Sequence, residues 1–526
     1  LNISKLISKT LKLFTGPALW LLVGFFALYF LTSAFDFFIS DGEVMYQTSR
    51  EIALRGQFDQ PANPALPQII EGRNGLHYSK YGLGQPVIAA GFFKFGKWLW
   101  FTFMREKWDE PIAHFAVTLL PLVVTALSVW LVYLFGKRLY GSVKIGIGLA
   151  LLYGLGTSAW PYSHFFFSEP LFGFCSLAAA YALFRVKDSP KPWLRYAWLL
   201  LGGFALGYAI LTRVSGVALV PAYLFYLWLI GKPNPPTPFP KAEGGVKFLV
   251  FKRNVRGLGL QYLVFGVGIV PAMAMTAFYN WLRFGNPLSS GYEGEGFTTP
   301  IWEGLWGLLF STGKSVFAYS PVLIALPFAL KPFIKRAKPE ALFFCALIGI
   351  TLIYYAVWWA WYGGFSWGPR FLVPILPFAI LALGALLEKG RVWAIVLFVG
   401  LLPLSIFVQM LGVAVNFNTH LGNITHFQPG WDADYNFIPA FSPLRGHFEL
   451  FWQPQNNVIR ALTLEQLGLN QRMSKIFTLG AWAGFVLALI MVSYVYLRTF
   501  HQPKNANADV ITIPDTTISN EIVKRT

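Results

Sequence analysis

The chain has 526 residues, of which 55% are hydrophobic, 18% aromatic and only 13% charged, about half the share of charge usual in soluble proteins. That composition excludes a string of water-soluble domains, because so few charges cannot cover so much apolar surface. The formal charge of +18 raises nucleic acid as a partner, but lysine and arginine also collect on one side of membrane proteins, so their placement decides.

A helix needs roughly 20 apolar residues to cross about 30 Å of hydrocarbon. Such runs fall near 16–39, 112–136, 145–160, 168–184, 195–212, 214–231, 258–281, 316–334, 340–361, 370–387, 392–415 and 475–497. The pattern predicts an all-α polytopic membrane protein of about 12 transmembrane helices, with long first and last extracytoplasmic loops. The first run is bulky and no small-x-small cleavage site follows it, so it reads as an uncleaved helix behind Lys5, Lys9 and Lys12. Cys175 and Cys345 lie in apolar runs and give no disulfide framework.

Twelve crossings put both termini on one side. Lys137, Arg138 and Lys144 fall there, then Arg185, Lys187, Lys191 and Arg195, then the cations between Lys232 and Arg256, then Lys331, Lys335, Arg336 and Lys338. The short loops opposite carry Arg213, Arg283, Lys314 and Arg370. The positive-inside rule makes the N-terminal side cytoplasmic. Sorted this way, the cytoplasmic side holds 26 Lys+Arg against 7 Asp+Glu, and the outer side 16 against 17. The basic excess is then a topology signal, and nucleic acid drops out as a partner. The chain divides into a transmembrane module over 1–415 with its first outer loop at 40–111, an outer loop at 416–474, a last helix at 475–497 and a polar, disordered cytoplasmic tail at 498–526. A Pro-rich cytoplasmic linker falls at 231–256. In a cytoplasmic or plasma membrane, chemistry is expected on the nearly neutral outer face.

The first outer loop opens with SDGEVMYQTSREIALRGQF. Asp41 and Glu43 stand where lipid meets water, and partial desolvation raises a carboxylate's pKa and suits it to general-base work. The same residues fit a capping box from Ser40 to Glu43, and both roles can hold together. In LHYSKYGLGQP, Lys80 lies between Tyr78 and Tyr81, ahead of a Gly-Leu-Gly turn. The P-loop spacing is missing, which leaves either a solvated lysine on a glycine turn or a cation held by rings for a phosphate. WPYSHFFFSEP supplies His164 and Glu169. Ser168-Glu169-Pro170 suits a helix start and His164 an interfacial hydrogen bond, yet ionisable groups so near hydrocarbon are functional candidates. Arg283 and Arg370 add cations, Arg370 at the start of a span where a snorkelling anchor is the plain alternative. Lys314 shares that ambiguity. Glu293 and Glu295, in a glycine-rich loop, read as solvation. Metal-ligand spacings of the HExxH, Cys/His or EF-hand type are missing. Taken together, Asp41, Glu43 and Glu169 face Lys80, Arg283 and Arg370 on one side of the membrane. A carboxylate base beside a phosphate-sized cationic pocket suits group transfer from a lipid phosphate.

Four motifs, DGEVMYQTSREIALRG, YSKYGLGQP, HFFFSEP and WGPRFLVPILPF, resemble those of the GT-C membrane glycosyltransferases, in the bacterial branch related to protein O-mannosyltransferases and the lipid A aminoarabinose transferase. The likeness runs through most of 16–390 and does not reach the region after about 416. It implies a GT-C-like bundle and inverting transfer of a hexosyl or pentosyl group from a polyprenyl-phosphate-linked sugar to a hydroxyl of a lipid, glycan or protein acceptor. The resemblance puts the base on Asp41 or Glu43, a second acidic site on Glu169 and a phosphate contact on Lys80. Tyr78, Tyr81, His164, Arg283 and Arg370 follow as further substrate-binding candidates. A glycine separates Asp41 from Glu43 where relatives often have adjacent acids, and Asp41 is the expected base. No cofactor is required, although some relatives use a divalent cation, for which Asp41 and Glu169 would be the ligands.

A polytopic transporter or flippase is the rival from another class, but such proteins tend to place ionisable residues at mid-membrane and to repeat their halves. An O-antigen ligase or polymerase, with a large late outer loop, is kept open by residues 416–474. A non-catalytic membrane scaffold would tolerate loss of Asp41.

Overall fold

The computed structural model describes residues 16–37, 39–103, 110–231, 255–292, 294–425, 433–456, 458 and 471–500. Lys5, Lys9 and Lys12, nearly all of the expected linker at 231–256, Glu293 and the tail beyond Phe500 lie outside the described residues. Helices dominate, as the long apolar runs require: hydrocarbon offers backbone groups no partners, so a spanning segment must satisfy them internally.

Helix α1 (Pro17–Thr32) leads to the first long connecting segment, which holds α2 (Ser40–Arg55) and α3 (Gly84–Phe103). Between these two lie strands β1 (Asp59–Gln60), β2 (Ile69–Glu71) and β3 (His77–Ser79). They form an antiparallel sheet in the order β1-β3-β2, with Tyr78 opposite both Asp59 and Ile70. The chain continues through α4 (Pro111–Tyr140), α5 (Val143–Gly156), α6 (Glu169–Lys187), α7 (Pro192–Thr212), α8 (Val220–Ile230) and α9 (Val255–Phe284). Then follow α10 (Ile301–Phe310), α11 (Leu326–Arg336), α12 (Lys338–Ala356), α13 (Leu376–Lys389), α14 (Val392–Ala414), α15 (Phe417–Thr425), α16 (Pro443–Phe451) and α17 (Gln471–Phe500).

Among the described residues, eight stretches are long and apolar enough to cross a membrane: α4, α6, α7, most of α9, α12, α13 with the turn before it, α14 and most of α17. The chain is a multi-pass integral membrane protein. Twelve spans were expected from the sequence, and the difference has local causes. Three of the other four are present as shorter apolar helices, α1, α5 and the stretch Val214–Ile230. Helix α1 stops at Thr32 because the chain turns irregular there, with Phe35 at φ +53°. The fourth, 316–334, is broken. Pro321 opens a 3-10 turn and Pro332 sits inside α11, where proline removes a backbone donor and crowds the preceding turn.

Helix α7 packs between α6 and α9, and α1 packs against α4 and α17. Charge gathers at the helix ends. At one end Lys187 pairs with Glu340 and Arg336 with Glu388. The other end carries the start of α2, the start of α6, the finish of α7 and the finish of α9. The segment at 433–456 is folded onto that same end: Gly313 N donates to Asn436 O at 2.8 Å, and the rings of Trp367 and His447 lie 4.5 Å apart.

Candidate active site

Helix α2 starts at Ser40 after an extended Ile39, with no side-chain cap. The expected capping box is therefore not formed: Ser40 is already inside the helix, and its Oγ accepts from Gln68 Nε2 at 3.1 Å. Glu43 instead accepts from Gln47 Nε2 at 3.1 Å, one turn on. Positions two apart on a helix point roughly 200° from each other. Asp41 thus faces a cavity of about 690 Å³ that Glu43 does not line.

Arg370, in the 3-10 turn that precedes α13, reaches into the cavity from the other side. Its Nη1 donates to Asp41 Oδ2 at 2.8 Å, and its Nε lies 3.6 Å from Glu169 Oε1. A snorkelling side chain would point to water; this one is 16% exposed and spans two carboxylates. Gly363 makes room for it, since a Cβ there would lie 2.8 Å from Arg370 Cγ, and its φ is +73°. Behind Arg370, the buried Lys314 donates to Gly364 O at 2.9 Å and Ser366 O at 2.8 Å. Burial first, and the charge of Arg370 second, hold the Lys314 pKa well below the usual lysine range. Lys314 thus pins the loop that carries Arg370, and it does not line the cavity.

Glu169 opens α6 with Pro170 in the first turn. It is 1% exposed and does not line the cavity; it lies behind the two arginines. Arg213, just past the end of α7, donates to Glu169 Oε1 at 2.7 Å and to Ser168 Oγ at 3.1 Å. One buried carboxylate oxygen therefore orients both Arg213 and Arg370. Read by geometry, Glu169 positions the cations.

Lys80 follows β3. Its Nζ donates to Glu295 Oε1 at 2.6 Å and lies 5.2 Å from the ring centre of Tyr292. The glycine turn after it lets the chain approach the end of α7: a Cβ on Gly82 would lie 2.4 Å from Leu211 O. Tyr81 lines the cavity and hydrogen-bonds Asp41. Tyr78 is buried against Leu83, Leu211, Ala272 and Tyr279 and does not line the cavity. Arg283 lines it, but its Nη1 donates to Ser79 O at 2.7 Å and its Nη2 to Asn280 Oδ1 at 2.7 Å, which secures the strand before Lys80. His164 turns away, with Nε2 3.2 Å from Thr32 Oγ1. Burial pushes its pKa down to about 3.

The electrostatics of Asp41 are a contest. Desolvation raises its pKa, but the charge of Arg370, hydrogen bonds from Tyr81 and Arg370, and the charge of Lys80 outweigh it. The net result is a carboxylate below its ordinary value. Proximity to Asp41 adds to burial in raising the Tyr81 phenol.

Among the described residues, no group of three or more His, Cys, Asp or Glu side chains is placed to hold a metal ion. Asp41 and Glu169 are joined through Arg370. A permanent cation already lies between these two carboxylates, so the pair as placed does not fit a divalent ion.

Sequence reasoning missed two members of the cavity. Arg213 counted only as a short-loop charge, and Glu295 as solvation. Glu295 in fact sits in the cavity between Lys80 and Trp359, whose Nε1 donates to Glu295 Oε2 at 3.0 Å. The run WWAWYGGF at 358–365 begins inside the span expected at 340–361, but that helix ends at Ala356 and most of the run lines the cavity.

The family model for the dolichyl-phosphate-mannose-protein mannosyltransferases matches residues 76–234. Over that stretch, the chain is similar to that family. The matched region contains the Lys80 turn, Glu169 and Arg213; Asp41 and Arg370 lie outside it. No curated protein matches the sequence. Among solved structures, ArnT from Cupriavidus metallidurans in the apo state is 16% identical, with a TM-score of 0.46, over 90% of this chain and 76% of that one. The same protein bound to undecaprenyl phosphate is 14% identical, with a TM-score of 0.46, over 91% and 77%. The Archaeoglobus fulgidus oligosaccharyltransferase in complex with Zn and sulfate is 14% identical, with a TM-score of 0.43, over 71% of this chain and 48% of that one.

Proposed function

We propose that the chain is a membrane glycosyltransferase that moves a sugar from a polyprenyl-phosphate donor to an acceptor hydroxyl, with inversion, at the outer face of the membrane. The observation that carries this reading is the cavity itself: a carboxylate, Asp41, lining the same cavity as Lys80, Arg213 and Arg370. The match to a dolichyl-phosphate-mannose-dependent family over the segment holding Lys80 and Arg213 supports the same chemistry.

Asp41 takes the proton of the acceptor hydroxyl while that oxygen attacks the anomeric carbon from the face opposite the phosphate. The bond from the anomeric carbon to the phosphate oxygen breaks, and its electron pair leaves with the phosphate. Lys80, Arg213 and Arg370 face the charge that grows there, and fixed cations in a water-poor site act without reorganising. A phosphate leaving group needs no general acid. The Asp41–Arg370 pair also couples binding to base strength. A donor phosphate competes with Asp41 for the guanidinium, and as the carboxylate loses that partner its pKa rises toward a value useful for proton abstraction.

These groups sit at one end of the bundle, and the lysine and arginine distribution supports reading that end as the outer face and the termini as cytoplasmic. Mass spectrometry of envelope glycans from source cells with the chain, without it, and with Asp41→Asn tests the reading. Loss of one glycan modification in both altered strains is expected. An unchanged profile in both refutes it.

A further inference from the structure

Lys80 is the phosphate contact that the proposed function assigns, and its Nζ is engaged by Glu295 at 2.6 Å. The contact is built in. Glu295 Oε2 accepts from the indole of Trp359, Trp359 N donates to Gly296 O at 3.0 Å, and Thr299 N donates to Val357 O at 3.2 Å. The segment carrying Glu295 is stitched to the aromatic wall, so its carboxylate is held in the cavity rather than left at the surface, and its side chain is 22% exposed.

Charge arithmetic gives this carboxylate a role. Among the described residues, Lys80, Arg213, Arg283 and Arg370 line the cavity with four positive charges, Asp41 and Glu295 line it with two negative ones, and Glu169 supplies a third negative charge from behind, paired with Arg213. The surplus of one matches a phosphodiester, which carries a single negative charge. During transfer, Asp41 gains the acceptor's proton and its charge is neutralised, so the surplus becomes two. At the same moment the leaving phosphate gains its second negative charge. When Asp41 returns its proton to water, the surplus is one again and faces a doubly charged product. Without Glu295 the resting surplus would be two, and the product would be the better ligand.

We propose that Glu295 makes the site select the singly charged phosphodiester of the donor over the doubly charged phosphomonoester left after transfer, and so promotes release of the spent lipid. The inference rests on the glycosyl-transfer reading of the same cavity. Opposite charges about 5 Å apart in a partly screened site differ by enough to change affinity about tenfold or more for each unit of charge.

The test uses the full chain in detergent and two probes, farnesyl phosphate and its methyl diester, with dissociation constants measured at pH 8, where the monoester is doubly charged. The wild type is expected to bind the diester at least as tightly as the monoester. Glu295→Gln, which keeps the size and the hydrogen-bonding reach of the side chain, is expected to tighten monoester binding about tenfold more than diester binding. An unchanged ratio of the two constants overturns the inference, and so does a wild type that strongly prefers the monoester. Lys80→Ala separates the two levels of the argument. If it leaves both probes bound as before, or if neither probe binds the wild type, the phosphate site itself is lost. If Lys80→Ala weakens both probes and Glu295→Gln leaves their ratio alone, only the role of Glu295 falls. A melting curve for each variant confirms that the fold is retained, and Glu295→Asp, which keeps the charge, should keep the wild-type ratio.

Discussion

Arg370 and Asp41 meet at 2.8 Å across 329 residues of chain. The guanidinium holds the carboxylate below its ordinary pKa even though desolvation pushes the other way. A depressed carboxylate stays charged until the pH falls through its folded value, so transfer should persist to pH values below the ordinary aspartate range. Arg370→Gln removes the largest lowering influence and leaves desolvation opposed only by the Tyr81 hydrogen bond and the charge of Lys80. The acid limb of the rate profile should then move up in pH, and the maximal rate should fall about 10²- to 10³-fold, the usual cost of losing one fixed charge at a developing anion. The pH profile of transfer in both proteins measures this, and an acid limb that stays in place would show that Arg370 does not set the state of Asp41.

Asp41 and Glu43 are separated by one residue and point to opposite sides of α2, which makes them a matched pair. Asp41→Asn should lower transfer by about 10²- to 10⁴-fold, the range for removing a general base, with the melting temperature preserved. Glu43→Gln alters a carboxylate that accepts from Gln47 and does not line the cavity, and it should leave the rate within a few-fold of wild type. His164→Gln, altering a ring bonded to Thr32 outside the cavity, should leave the donor KM unchanged. Equal losses in Asp41→Asn and Glu43→Gln would contradict the placement of the base.

How far the site can be read without coordinates follows from sequence separation. Asp41, Lys80, Glu169 and Arg370 stand out because each is an ionisable residue beside an apolar run, and one-sided topology groups them. Choosing Asp41 over Glu43 needs the start of α2: one residue's shift in that start decides which residues face the cavity, and Ser40 resembles a cap while lying inside the helix. Arg213 escapes because one arginine after a span has the pattern of an interface charge, and only the fold brings it to Glu169. Glu295 escapes because its partner is 215 residues away. The apolar runs themselves were readable, whereas the break at 316–336 depends on where Pro321, Pro327 and Pro332 fall relative to the helix ends.

A chelator should leave the reaction unchanged. Arg370 lies between Asp41 and Glu169, where the resemblance would put a divalent ion, and it already supplies positive charge to both. Transfer assayed with and without EDTA should proceed at the same rate, and added Mg²⁺ or Mn²⁺ should not raise it. A rate that collapses on chelation and returns with the metal would mean that Arg370 swings out of this position during turnover.

Glu169 provides the sharpest separation between a group that reacts and a group that holds others in place. Its Oε1 serves Arg213 at 2.7 Å and Arg370 at 3.6 Å, and it is almost fully buried. Glu169→Gln keeps the shape but removes the only charge between two guanidinium groups. Breaking a buried ion pair by removing one partner costs about 3–5 kcal/mol, because the other charge is left unpaired. The variant should therefore melt at lower temperature, and with Arg213 released and Arg370 held by Asp41 alone its donor KM should rise. Asp41→Asn should show the reverse pattern, a lost rate at nearly normal stability and a donor KM no higher than wild type, since Arg370 is then free for the phosphate. Thermal unfolding and a KM-against-kcat comparison of the two variants decide the matter. If Glu169→Gln kept its stability and donor KM and lost only kcat, Glu169 would have to act on the reacting atoms directly, and the account of it as the anchor of Arg213 and Arg370 would be wrong.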